Sequence, residues 1–318
     1  IYSDFKKKLN FQKKKNYLVA VSGGPDSLAL TALAKSLTYE KKCKFCYVLI
    51  NHNIRKDSSK EAYSVKRLLK SHKINLNILR NKKKIEKNIQ NQARVIRYQL
   101  LTDFCKKKKI KAILTAHNLE DQVETFFIRL SRGSGLQGLS SMRSVNKIDN
   151  NVDLIRPLLE VKKNQLIKIS KTIFGRFFKD PTNKDTKYLR TRIRNLKKTL
   201  ENSGINYDQI FKSIQNLASS RDTLNYYFNE IYKEIVKKKK NNILINKKKL
   251  NDINQEMKIR VFKRAFKDFT KNYYALRSKK ILNLINQIET KKNAKLTLGG
   301  CIVLGEKNRI ILKKEIKN

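Results

Sequence analysis

Three segments of the chain carry residue types and spacings that can do chemistry. The first is Ser22-Gly23-Gly24-Pro25-Asp26-Ser27, between a short apolar run at 17–21 and apolar residues at helical spacing over 28–37. A strand that runs through glycines into a helix aims backbone N–H groups and a helix N-terminus at one point, and glycine allows close approach of an anion. No Gly-Lys-Ser/Thr follows, so this is not a Walker A loop, and the third glycine of a dinucleotide fingerprint is missing. A linear anion such as pyrophosphate fits best, with Asp26 placed to hold a Mg²⁺ that bridges phosphates. The bland alternative is an ordinary strand–helix turn.

The second segment is His117-Asn118-Leu119-Glu120-Asp121-Gln122-Val123-Glu124. His117, Asp121 and Glu124 are spaced i, i+4, i+7, which puts them on one helical face. A solvated acidic helix start, favoured by the macrodipole, is the competing reading. The third set is arginine. Arg94 and Arg97, Arg129 and Arg132, and Arg190, Arg192 and Arg194 stand out from a lysine background. The planar guanidinium suits bidentate phosphate recognition, although for any single one a surface ion pair is the commoner role. Cys43 and Cys46 form a CxxC, but a structural zinc site needs four ligands. Cys105, Cys301, His52, His72 and His117 supply no second pair. Small side chains buried at the start of a strand explain the two cysteines.

The elements that must position these groups alternate. Strands are expected at 17–21, 46–50, 76–79 and 112–115, with helices over 28–37, 58–71, 89–107 and 119–130. Ser58-Ser59-Lys60-Glu61 reads as a capping box that opens the second helix. This order specifies an α/β doubly wound, mainly parallel sheet, in which ligands bind at the carboxyl ends of the strands. A glycine-punctuated loop follows at 132–139, then a helix over 163–174 and a turn at Asp180-Pro181-Thr182-Asn183. From about residue 205 the pattern is mainly helical (207–237, 252–269, 278–291), ending in strands at 295–298 and 309–313. The expected division is a catalytic domain over 1–203 and a mainly helical domain over 204–318 ending in a β-hairpin.

The 318 residues include 74 Lys+Arg against 26 Asp+Glu, a formal charge of +48. That excess favours a polyanionic partner, either nucleic acid or an anionic membrane surface. Overuse of Lys, Asn and Ile is the compositional alternative, and the lysine runs read as solvated faces. At 40% hydrophobic residues the chain is not wholly disordered. No apolar run approaches the roughly 18–20 residues of a membrane span, and the early apolar stretch is too short for a signal peptide. A cytoplasmic location is expected. The chain does not begin with Met.

Several segments together resemble a known family. Val19 through Ser27 is similar to the PP-loop of the N-type ATP pyrophosphatases. Asn51-His52-Asn53-Ile54-Arg55, Gln92 through Tyr98, Thr115 through Glu124, Arg129 through Leu139, Arg156-Pro157-Leu158-Leu159, Asp180-Pro181-Thr182-Asn183 and Arg190-Thr191-Arg192-Ile193-Arg194 follow in order. In that order they resemble the tRNA(Ile)-lysidine synthase family, densely over 17–195, and Leu296 through Cys301 adds a match in the tail. Two positions depart from the family pattern. Glu120 stands where an Asp-Asp pair usually begins, and Asn51-His52-Asn53 stands where the family has Asp-His-Gly, which leaves the role of that Asp open.

The resemblance implies a ligase that uses ATP and Mg²⁺. The 2-carbonyl oxygen of the wobble cytidine of an isoleucine tRNA attacks the α-phosphate and pyrophosphate leaves. Free lysine then displaces AMP. It implies that Ser22–Ser27 hold the pyrophosphate, that Arg97 and His117 serve the α-phosphate, and that Asp121 and Glu124 bind the lysine, one of them acting as base. Arg94, Arg129, Arg132, Arg190, Arg192 and Arg194 are expected near nucleotide or tRNA phosphates. The chain ends before the further C-terminal domain of some members, so tRNA selection is expected to rest on the basic helical region. A homodimer stays open. The rivals are a PP-loop tRNA thiolase using Cys43 and Cys46, a small-molecule PP-loop ligase and a non-enzymatic nucleic-acid-binding protein.

Overall fold

The structure is a computed structural model that describes residues 1–11, 16–40, 43–54, 57–82, 85, 89–149, 151–178, 185–270, 276–291 and 293–315. The Asp180–Asn183 turn lies outside these residues. The chain divides into two compact units, Ile1–Ala218 and Ser219–Asn318. The division falls inside a long helix, whereas the sequence places its boundary just before that helix.

Unit one opens with α1 (Tyr2–Phe11), β1 (Asn16–Val21), α2 (Pro25–Tyr39) and β2 (Lys44–Asn51). Next come α3 (Ser58–Ser71), β3 (Leu76–Arg80), α4 (Ile89–Lys107), β4 (Ala112–Leu114) and α5 (Leu119–Leu130). Then follow α6 (Leu136–Leu139), β5 (Val145–Asp149), β6 (Val152–Ile155), α7 (Lys163–Phe174), α8 (Leu189–Asn195) and α9 (Lys197–Asn202). The sheet order is β3-β2-β1-β4-β6-β5. All pairings are parallel except β5 against β6. The chain winds outward from β1 through β2 to β3, then returns to place β4 on the other side of β1. The crevice between the carboxyl ends of β1 and β4 is therefore the topological switch point, where such sheets bind ligands.

β1 is an unbroken apolar run because both faces are covered; Tyr17, Leu18 and Val19 have no exposed surface. Helices α1, α2, α3 and α7 cover one face through Phe5, Leu30, Leu69 and Leu166. On the other face Leu101 and Cys105 of α4 pack on Leu18, Val48 and Ile113. The α3 helix starts where expected, but its N-cap is Asp57, without a side-chain capping bond. The β5–β6 hairpin was not anticipated, because its strands are short and only β6 is mostly buried.

The helix α10 (Tyr207–Ile235) spans the division. In unit one its Tyr207, Phe211 and Ile214 pack with Leu119 and Val123 of α5. Unit two continues with β7 (Val236–Lys238), β8 (Asn242–Asn246), α11 (Lys247–Asn251), α12 (Gln255–Thr270) and α13 (Ser278–Thr290). It ends with β9 (Ala294–Leu298), β10 (Cys301–Gly305) and β11 (Arg309–Lys314). These strands form one antiparallel sheet of five, ordered β7-β8-β11-β10-β9. Its core is Phe262, Ile281, Ile285 and Val303. The sheet is larger than the expected terminal hairpin. No helix among the described residues is long and apolar enough to cross a membrane.

Candidate active site

The loop after β1 is built as an anion cradle. Gly23 has φ +82°, and a Cβ there would lie 2.6 Å from Val65 Cγ2. Its carbonyl accepts a hydrogen bond from the Phe178 amide at 3.0 Å. Ser27 Oγ closes the turn, accepting from the Ser22 amide at 3.1 Å and donating to the Gly24 carbonyl at 3.0 Å. Helix α2 starts with Pro25 at its first turn and no side-chain cap. Its first amides lack intrahelical partners and face the loop's concavity.

Asp26 stands at this helix start with Oδ1 buried and without a hydrogen-bond partner. Burial pushes its carboxyl up from 3.8 to about 6; Asp121 and Glu120 add to the rise, while Lys163 and a hydrogen bond with Asn118 oppose it. An orphaned buried carboxylate oxygen beside an anion cradle fits a Mg²⁺ whose other ligands are phosphate oxygens and water. No group of three or more His, Cys, Asp or Glu among the described residues could hold a metal by itself. The single carboxylate therefore suits an ion that arrives with the nucleotide.

The raised value has a sign. Below about 4 both folded and unfolded chains are protonated; above it the unfolded chain ionises first. The stability that Asp26 lends is thus lost as pH rises through about 6. Asp26→Asn without ligand is expected to be more stable than the parent at pH 7.5 by about 1–2 kcal/mol, and no more stable at pH 4. It is expected to bind MgATP more weakly at every pH. Parallel thermal melts from pH 4 to 8 check this; a stability difference that does not change with pH contradicts it.

His117 follows β4, with Nδ1 3.0 Å from Thr115 Oγ1. Burial holds its imidazole down at about 3, reinforced by Arg156, Arg190, Arg94 and Arg97. His52, after β2, is held at about 4 by burial and by Arg97. Both rings are neutral near pH 7, and the charge of Arg97, on α4, acts on both. The expected result is that two of the three histidines show no ring titration between pH 5 and 8 by NMR. Unfolded imidazoles take up protons below about 6.5, so this pair costs the fold stability as pH falls through that value. A ring titrating near 6.5 at either position contradicts the geometry.

The acidic face of α5 is engaged by α8. Glu124, 2% exposed, accepts from Arg190 Nε at 2.7 Å and from Arg194 Nε at 2.7 Å. Arg194 Nη2 adds a bond at 3.1 Å. Arg190 Nη2 also reaches Asp121 Oδ1 at 3.2 Å. Donation to Glu124 raises the basicity of Arg194 above that of an ordinary arginine. Asp121 also completes a capping box with Asn118, which fixes the start of α5. Glu120 accepts from the Lys163 amide at 2.9 Å. The structure thus joins two sets that the sequence kept apart: the carboxylates expected to hold lysine and two arginines expected at phosphates.

The remaining arginines divide. Arg94 stacks over Tyr98 at 5.4 Å. Arg129 Nη1 donates to the carbonyls of Gly138 and Ser141 at 2.7 and 3.0 Å, bracing the glycine loop. Arg132 and Arg192 are exposed. Cys43 and Cys46 pack into different apolar clusters at the amino end of β2, away from the switch point. Burial pushes both thiols up, opposite to what a reactive or ligating sulfur needs. Asn118 and Lys163 are not evident as site residues from the sequence, and Arg156 appears there only within the Arg156-Pro157-Leu158-Leu159 segment. Only Asn118 had a signal, as an N-cap residue ahead of an apolar helix.

Comparison with known proteins follows the same outline. Residues 1–200 match the PP-loop domain family. The tRNA(Ile)-lysidine synthase of Wolbachia pipientis wMel is 32% identical over 302 residues, covering 93% of this chain and 70% of the relative. That of Orientia tsutsugamushi (strain Boryong) is 40% identical over 191 residues, 60% of this chain and 43% of the relative. Among solved structures, the U34-tRNA thiolase NcsA from Methanococcus maripaludis, with its 4Fe-4S cluster, is similar in fold, with a TM-score of 0.57. The match covers 68% of this chain and 76% of that one at 18% identity, a likeness of fold alone.

Proposed function

Because the chain belongs to the tRNA(Ile)-lysidine synthase family of PP-loop enzymes, we propose that it joins free lysine to the wobble cytidine of an isoleucine tRNA with a CAU anticodon. ATP is cleaved to AMP and pyrophosphate. The observation that supports this reading best is a convergence at one switch point. An anion cradle follows β1, a cationic surface surrounds His117 after β4, and a carboxylate pair lies on α5.

In this reading the Ser22–Ser27 loop holds the pyrophosphate end of ATP through backbone amides and the α2 N-terminus. Mg²⁺, held by Asp26, supplies neutralising charge to the phosphates when bound. Arg97 and neutral His117 serve the α-phosphate. In the tautomer in which Nδ1 accepts from the Thr115 hydroxyl, 3.0 Å away, Nε2 carries the ring proton and is the donor for a phosphate oxygen. Fixed donors of this kind stabilise charge that develops at the reacting phosphorus. Asp121 and Glu124 take the ammonium groups of lysine, and one of them removes the proton that frees the attacking amine. Arg190 and Arg194, which lie on these carboxylates, are drawn to the arriving phosphates and expose the acidic face.

The test is ATP–pyrophosphate exchange with the tRNA present and lysine absent. Exchange that needs the CAU transcript is expected, since activation precedes lysine attack. A passive RNA-binding protein shows none, and exchange that ignores the tRNA contradicts activation on the base.

A further inference from the structure

We propose that Arg156 is the floor of a buried subsite for a backbone phosphate of the bound RNA, separate from the pyrophosphate loop; this rests on the function proposed above. Arg156 directly follows β6, at the ligand end of the parallel sheet, and is 6% exposed. Its Nη1 is fixed by the Arg143 carbonyl at 2.8 Å and by Asn146 Oδ1 at 2.9 Å. Its Nε is buried with no hydrogen-bond partner. No carboxylate pairs with it among the described residues.

A guanidinium held in place, nearly dry and without a counter-charge is costly to keep, and its free donor invites an anion. The surroundings agree. Burial depresses its basicity, as do the nearby charges of Arg94 and Arg129, while Tyr98 opposes them electrostatically and through a hydrogen bond. Arg156 is also the strongest charge acting on His117. An oxyanion there would relieve the repulsion among Arg94, Arg156 and Arg129.

Which phosphate it takes follows from the sheet. β4 lies between β1 and β6, so Arg156 sits two strands, about 10 Å, from the strand that carries the pyrophosphate loop. In the function proposed above, the α-phosphate of a nucleotide on that loop is served by Arg97 and His117. Arg156 lies one strand further out, within the field of Arg129, which braces the glycine loop. Arg156 stands one strand beyond β4 with its Nε unclaimed, which suits a polynucleotide phosphate; the nucleotide's own phosphates are the competing occupant, because Arg156 is also the strongest charge on His117, and separate ATP and tRNA affinities decide between the two.

The test uses the full chain and a CAU isoleucine tRNA transcript, with ATP affinity measured separately in the absence of RNA. Arg156→Gln is expected to weaken tRNA binding about 10- to 100-fold. It should also reduce the slope of log affinity against log salt by about 0.7, with a smaller loss of ATP affinity than of tRNA affinity. Arg156→Lys, which keeps the buried charge, is expected to fall between the two. A measurement on the parent protein needs no variant to fold. One uncharged methylphosphonate in the anticodon loop should weaken binding as much as Arg156→Gln does, and should add nothing in that variant. Loss of ATP affinity with intact tRNA binding would give the subsite to the nucleotide and overturn the proposal. So would full additivity of the two changes, or unchanged affinities in a folded Arg156→Gln. A parent protein that binds no tRNA would instead defeat the underlying function, a result seen before any variant is made.

Discussion

Glu124→Gln is expected to abolish lysine transfer at low lysine while leaving tRNA-dependent ATP–pyrophosphate exchange in place. The carboxylate is 2% exposed and accepts three hydrogen bonds from Arg190 and Arg194. The amide keeps the shape and loses the charge. One charge-assisted bond to an ammonium is worth about 1.5–3 kcal/mol, so the KM for lysine should rise roughly 10- to 100-fold. Loss of a base would lower kcat as well. A second effect comes from the two arginines, each about a third exposed. Removing their buried partner costs stability, about 2–4 kcal/mol after allowance for solvent at the arginine ends. Stability and KM separate the two causes. Arg194→Met in the Glu124→Gln background should recover stability without recovering lysine transfer. Unchanged transfer at low lysine in Glu124→Gln would remove this residue from the substrate site.

Gly23→Ala is expected to remove ATP binding. Two independent penalties meet at this position. The left-handed backbone, φ +82°, costs a residue with a Cβ about 1–2 kcal/mol. The added methyl would also lie 2.6 Å from Val65 Cγ2, and Val65 is locked in the core at 2% exposure. The loop must shift, and its amides lose their common aim. A loss of ATP affinity of at least about 100-fold is expected, with a lower melting temperature. Gly24→Ala makes the comparison. Its φ is −73° and the nearest atom to an added Cβ is Ser22 Oγ at 3.8 Å. Stability should hold in that variant while ATP affinity falls by a smaller factor, through crowding of the ligand alone. Equal behaviour of the two variants would mean that the Gly23 conformation does not shape the cradle.

Much of this arrangement was legible in the chain, for identifiable reasons. The central strands of unit one are buried on both faces, so they read as bare apolar runs, and helices such as 58–71, 89–107 and 119–130 carry a clear period. What escaped was short or unpunctuated. β7 joins the end of α10 with no turn residue and is Val-Lys-Lys, which reads as a basic helix end. β8 is only Asn242–Asn246. The hairpin at 145–155 adds an antiparallel edge that no βα alternation announces.

The site divides in the same way. Local spacing put Asp121 and Glu124 on one face of α5, but His117 precedes that helix, ahead of the Asn118 cap, so the single helical face expected of all three holds for two; the glycine loop is continuous in the chain. The pairing of Glu124 with Arg190 and Arg194 joins residues 66 and 70 positions apart. Nothing local marks which of seven arginines meets a carboxylate. Arg129 illustrates the converse, since its guanidinium braces the glycine loop. Arg156 acquires meaning only when its burial and its orphaned Nε are known.

The most direct measurement is incorporation of radiolabelled lysine into an isoleucine tRNA transcript with a CAU anticodon, with and without ATP. Label is expected in the tRNA only when ATP is present, and none in Glu124→Gln at low lysine. No label, with AMP and pyrophosphate still formed in the presence of the tRNA, would contradict that expectation: activation would stand, and lysine would not be the nucleophile.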